Sequence, residues 1–255
     1  MTNPEGKICP TYLRPWTGFA EQQQGAFYQL PLTGDDSSGS PRVFASLQYL
    51  EELGRDCALR QIASEKDLES FKRVTLENPI AYIIQYLYSQ PESRAIFNLS
   101  SAIGFENHPN TLSEQADEVI ERLERPQPST PIRSSSPSTT LRADQICVYR
   151  TIKKRRTPLL IAEYKAPHKL TLPCLRLGLR EMNLKEEVID RYLQPDQVDV
   201  DAVFQYHSDR LAAAVVTQVY SYMIENGLEY SYLTTGEAFV FLQVRPNEPD
   251  TVYYH

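Results

Sequence analysis

No run of eighteen apolar residues occurs in this 255-residue chain, so the sequence offers no membrane-spanning helix. The N-terminal stretch has no basic region leading into an apolar core, and no secretory signal is expected. Cysteine is scarce: Cys9, Cys57, Cys147 and Cys174 stand far apart and fit no C-x-x-C or Cys/His zinc spacing. They read as reduced thiols of an intracellular protein, nuclear or cytoplasmic rather than secreted. His108, His168, His207 and His255 form no ligand cluster, so any metal must be held by oxygen. The 10 glycines supply no phosphate-cradling loop motif. Positive charge is short as well, with 26 Lys+Arg against 33 Asp+Glu and a formal net charge of -7. Taken as a total, that balance argues against a nucleic-acid partner.

What is present suffices for one domain of generous size. The chain is 41% hydrophobic and 23% charged, which is globular composition, and it is long enough to bury a core without disulfides. Residues 1–42 carry loop chemistry and read as an irregular N-terminal arm with an aromatic anchor between Tyr12 and Phe27. Residues 43–255 read as a single domain. Apolar residues from Leu47 to Leu87 recur at three- and four-residue spacings, giving helices, with Pro79 bending or restarting one near Asn78. A further helix is expected over residues 113–125. Residues 124–142 hold four Pro and eight Ser/Thr in 19 positions and read as a flexible insertion.

The second half alternates strand and helix. Residues 145–149 and 159–162 are β-rich and flank a basic tip, which suits a hairpin. Asn183 and Glu186 resemble a capping box ahead of a short helix reaching Leu193. The clearest helix runs from about Ser208 to Asn226, capped by Ser208 or Asp209 and stopped by Gly227. Strands follow at 229–234 and 238–244, turning through 235–237. The closing run from Thr251 to His255 is strand-like and suggests a domain cut from a longer polypeptide. The expected class is therefore α/β, or α+β, around a mixed sheet.

Period-two alternation puts Leu159, Ile161, Glu163 and Lys165 on one strand face. If the hairpin pairs around its basic tip, Asp144 meets Glu163, and two carboxylates share a site with one ammonium. Such a pair raises one carboxyl pKa unless a cation lies between them, and a hard ion such as Mg²⁺ or Mn²⁺ suits oxygen ligands. Lys165 can then orient or deprotonate an attacking water, or stabilise charge developing on phosphorus. Gln218 and Tyr222, four apart on the long helix, share a face that can point at the hairpin.

Asp144, then Glu163-Tyr164-Lys165 closing a hydrophobic strand, then Gln218-x-x-x-Tyr222 resembles the PD-(D/E)XK nuclease superfamily, in particular its RecB-like branch. The chain is also similar to fungal proteins that carry such a domain upstream of a protein-kinase-like domain. The resemblance covers about residues 65 to 245, with Ala143 standing where the motif's Pro is usual. It implies a restriction-endonuclease-like mixed sheet flanked by helices, to which the helical periodicity of the first half adds an N-terminal helical extension. It also implies metal at Asp144 and Glu163, and phosphodiester cleavage, with DNA ahead of RNA as substrate. The branch often adds an acidic residue from the preceding helix, for which Glu77 is the candidate. Catalysis would fall to Asp144, Glu163, Lys165 and Gln218, and nucleic-acid contact to Tyr222, Lys153, Lys154, Arg155, Arg156 and Lys169.

Plainer readings stand beside these. Glu163 and Lys165 suit an exposed edge-strand pair, Gln218 a solvated helix position, Tyr222 a core aromatic and Glu77 a surface helix residue. Lys153 to Arg156 suits a nuclear localisation patch equally well. Charge distribution separates the possibilities in part. Residues 150–180 hold nine Lys/Arg and one acid, net +8, so the rest of the chain carries -15 of the total -7. A local basic surface beside a carboxylate pair is what a phosphate backbone needs. Two rivals remain: an inactive nuclease-fold module serving a kinase-like domain, and a metal-free nucleic-acid binder.

Overall fold

The computed structural model describes residues 7–30, 43–106, 145–150, 156–191 and 194–255. Among them, eight strands form one mixed sheet: β1 (Tyr12–Pro15), β2 (Ile103–Glu106), β3 (Gln145–Arg150), β4 (Arg156–Tyr164), β5 (Met182–Asn183), β6 (Tyr230–Thr234), β7 (Phe239–Arg245) and β8 (Glu248–Tyr254). Their order is β2-β3-β4-β6-β7-β8-β1-β5. The pairs β4–β6 and β8–β1 are parallel, and the remaining neighbours are antiparallel. The parallel step from β4 to β6 requires a crossover. It is supplied by α6 (Leu172–Gly178) and α7 (Val200–Asn226). The expected mixed sheet flanked by helices is therefore the architecture found.

The sheet buries both faces near its centre. On one side Ile161, Leu233, Val240, Leu242 and Val252 pack with Val215, Val219 and Met223 of α7. On the other, Ala162, Tyr164 and Tyr232 pack with Leu68 and Phe71. Those last two belong to α3 (Glu65–Lys72), which follows α2 (Leu47–Ala58) and which a π-helical turn, Arg73–Glu77, joins to α4 (Asn78–Ser89), itself followed by α5 (Pro91–Ile96). Pro79 is the second residue of α4, directly after the π-turn, with the backbone helical through Glu77 and Asn78 ahead of it. The bend or restart expected near Asn78 is therefore a switch from π- to α-helical bonding directly after Glu77, within a backbone that stays helical, and the sequence pattern does not signal it.

Several boundaries differ from expectation. Residues 1–42 are not irregular throughout: β1 joins the sheet beside β8, and α1 (Phe19–Tyr28) follows it. Trp16 and Phe19 anchor that segment by stacking on Tyr230, Phe241 and His255. The long helix starts at Val200 rather than Ser208, because Asp199 accepts a capping bond from the Ala202 N–H. Ser208 and Asp209 lie buried within it, and Asp209 takes both Arg180 and Gln205 instead of capping. The end at Gly227, φ 63°, agrees with the sequence. Around Asn183 the cap is reciprocal but shifted: Asn183 Oδ1 accepts from the Glu186 N–H, and Glu187, not Glu186, accepts from the Asn183 N–H. The expected helix at 113–125 and insertion at 124–142 lie outside the described residues.

The α6–α7 crossing depends on Gly178. A Cβ there would stand 2.3 Å from the Ser208 carbonyl oxygen and 2.8 Å from Ala212 Cβ. Backbone cannot yield as a flexible side chain does, so Gly178→Ala is expected to cost about 3 kcal/mol through overpacking. Thermal denaturation should read a Tm lower by roughly 10 °C.

Candidate functional site

Glu163 is the penultimate residue of β4, which has β3 on one side and β6 on the other, so it is no edge-strand residue. The alternation that turns Ile161 toward α7 turns Glu163 the same way. The Lys165 N–H donates to the Thr234 carbonyl at 3.0 Å, carrying the β4 alignment past its last residue. Lys165 Nζ then pairs with Glu163 Oε1. Gln218 Nε2, from α7, donates to the same oxygen at 2.7 Å. Glu163 is 1% and Lys165 8% exposed, which corrects the reading of a solvated strand pair. Burying two such charges carries a desolvation cost that their attraction only partly offsets, and apolar residues would serve stability as well. An ion pair in a central strand therefore points to function.

Tyr222 lies one turn beyond Gln218, with its hydroxyl 3.5 Å from Gln218 Nε2, a weak contact. Tyr222 is only 3% exposed as part of the core packed against the sheet, and Lys7 Nζ sits 4.3 Å from its ring centroid. As placed, the ring is covered rather than presented for stacking on a base.

Glu77 ends the π-helical turn and is 2% exposed, not a surface helix residue. It belongs to the opposite sheet face. Its Oε1 accepts from the Tyr164 hydroxyl, and its Oε2 from Gln145 Nε2 at 2.8 Å. Gln145 pairs with Ala162 across the hairpin, and Tyr164 is two residues along, so both point away from Glu163. No described contact brings Glu77 to Glu163. Burial, reinforced by Tyr232 and Glu77, drives the Tyr164 pKa upward, which keeps it a proton donor to Glu77. Burial with the Glu77 charge likewise pushes the Cys147 thiol up to about 12, leaving it unreactive.

Lys169 follows β4 on an exposed turn and pairs with Glu65 at 3.3 Å, so a carboxylate already engages it. Asp144, Lys153, Lys154 and Arg155 lie outside the described residues, as does the side chain of Arg156. The structure thus gathers Glu163, Lys165, Gln218 and Tyr222, and places Glu77 elsewhere. Three contributors escaped the sequence reading. Tyr164 and Gln145 look like filler between motif residues, and Lys7 falls in a segment read as an arm. The one available signal was that Tyr164 and Gln145 each adjoin a motif residue.

Oxygen donors of the kind a hard cation takes are present. They are the Glu163 carboxylate and Gln218 Oε1, the latter buried without a partner among the described residues. No group of three His, Cys, Asp or Glu side chains converges among the described residues. None of the described helices is long and apolar enough to cross a membrane.

Fold and cluster together define a mixed α/β domain with a buried carboxylate–lysine pair, joined by a half-buried glutamine, at the end of a central strand. The sequence pattern of the Spore killer 2 N-terminal domain matches residues 1–255, and the chain belongs to that family. It is 25% identical over 268 residues to the meiotic driver SPOK2 of Podospora anserina. That alignment takes in all of this chain and 34% of the relative, so the chain spans about a third of that protein's length. No solved structure matches it.

Proposed function

We propose that this domain hydrolyses phosphodiester bonds of nucleic acid, DNA in preference to RNA, with Mg²⁺ or Mn²⁺ as cofactor. The observation that carries the reading is the buried Glu163–Lys165 ion pair held by half-buried Gln218, charges with no need to be there for stability. Glu163 and Asp144 would hold the cation, with the carbonyl oxygen of Gln218 beside them. The bound cation supplies Lewis-acid stabilisation of the phosphoryl oxygens and a more acidic water. Lys165 directs its ammonium at the position where charge grows on phosphorus, in a buried site where that field is weakly screened. Gln218 fixes the Glu163 carboxylate by its N–H bond, so the acid does not reorient as substrate enters. Family membership alongside a meiotic driver supports the reading to this extent: cutting nucleic acid is a chemistry by which such a protein can act.

Calorimetric titration with Mn²⁺ tests the metal-holding part directly. Wild type is expected to bind one ion, and Glu163→Gln to lose most of that affinity. Identical isotherms for the two proteins would favour a nuclease-fold module without catalysis, serving the remainder of a longer chain.

A further inference from the structure

We infer that Lys7 supplies a phosphate-binding cation to the Glu163 site, as a substrate-positioning residue carried in by the N-terminal strap. The inference rests on the nuclease reading above and deepens it. The strap is tied down at successive residues. The Ile8 N–H donates to Ser221 Oγ at 3.2 Å, and Cys9 Sγ lies 3.4 Å from Thr217 Oγ1. Two residues later, the Thr11 N–H donates to the Asp250 carbonyl at 2.8 Å, and β1 then enters the sheet. Positions 217, 218, 221 and 222 make one face of α7, and the strap runs along its edge. Lys7 is thereby delivered over Tyr222, whose hydroxyl reaches Gln218, whose amide holds Glu163.

Lys7 has a ring beneath it and no carboxylate within ion-pair distance among the described residues. Cation–π attraction orients an ammonium but leaves its N–H donors to be satisfied by water or an anion. An ammonium is a compact point charge, suited to a phosphate approaching from variable directions. Its position one helical turn along from Gln218 suits a phosphate flanking the scissile one, not the reacting group itself. The substrate contact assigned from sequence to Tyr222 therefore passes to the lysine over its ring, with the ring as platform.

The test is binding of a short fluorescein-labelled oligonucleotide in EDTA, by anisotropy across a salt series, with the full chain as wild type, Lys7→Met and Lys7→Arg. Methionine keeps an apolar stem over Tyr222, so a purely structural role leaves the salt slope unchanged. Loss of one phosphate contact should shallow the log K against log salt slope by about 0.7–0.9 and weaken low-salt binding several-fold. Lys7→Arg should restore the slope. Under turnover with metal, the Lys7→Met effect should fall on KM more than on kcat. Equal slopes for wild type and Lys7→Met would overturn the inference while leaving the nuclease reading standing. Wild type that binds but never cleaves would overturn the nuclease reading alone. Wild type that binds no oligonucleotide would overturn both.

Discussion

Lys165→Met is expected to lower kcat for DNA cleavage by about 10³-fold with KM little changed, as removal of one preorganised electrostatic donor typically does. The reason lies in placement. Lys165 Nζ is held against Glu163 Oε1 at the end of a central strand, so its charge is fixed before substrate arrives. A surface lysine recruited on binding would first have to be ordered and desolvated. The same substitution leaves Glu163 buried beside Gln218 without its cation. A stability loss of about 3 kcal/mol should therefore accompany the kinetic one. Single-turnover rates measured well below the variant's Tm separate the two effects. A variant that is merely less stable, yet cuts at the wild-type rate when folded, would remove Lys165 from the chemistry.

Glu77→Ala is the second large effect, and it is one of stability. Gln145 Nε2 loses its acceptor, the Tyr164 hydroxyl loses one, and a small cavity opens beneath the π-helical turn. Each buried polar group deprived of a partner costs about 1–3 kcal/mol, so a total near 4 kcal/mol is expected in denaturant titration. Glu77→Gln discriminates this bracing role from metal ligation. Gln145 Oε1 has no partner among the described residues, so the Gln145 amide can turn and accept from the new N–H₂ group. Stability should then return to within about 1 kcal/mol of wild type, with metal affinity unchanged. Weakened Mn²⁺ binding in Glu77→Gln would restore Glu77 to the metal site. Its two donors adjoin Asp144 and Glu163 in sequence, so Glu77 braces both hairpin strands from the far face.

The legible parts of the fold were those written in local periodicity. Leu211, Val215, Val219 and Met223 mark one stripe of α7, and Gly227 marks its end, because both signals sit within a few residues of what they determine. The Glu163–Lys165 pairing followed from strand alternation, and the Gln218–Tyr222 pairing from helical spacing. What escaped depends on long-range packing. The pairing of β1 with β8 joins Tyr12 to Thr251, and nothing in either short segment announces the other. Burial of Glu77 requires α3 and the π-turn to lie across β3 and β4, so an acidic residue near a proline read as surface. The total charge misled for a related reason, since it averages a basic segment with an acidic remainder. Lys7 was hidden by its neighbours, because loop-forming composition nearby says nothing about where one lysine docks.

Cleavage of labelled single- and double-stranded DNA by wild type and Glu163→Gln, in Mg²⁺, Mn²⁺ and EDTA, tests the central claim most directly. Glu163→Gln preserves shape and the capacity to accept from Gln218 while removing the charge that holds a cation. Wild type should cut in Mg²⁺ or Mn²⁺ and not in EDTA, and Glu163→Gln should cut in neither metal. Wild type inert on both substrates, or a Glu163→Gln protein that cuts as fast as wild type, would contradict it.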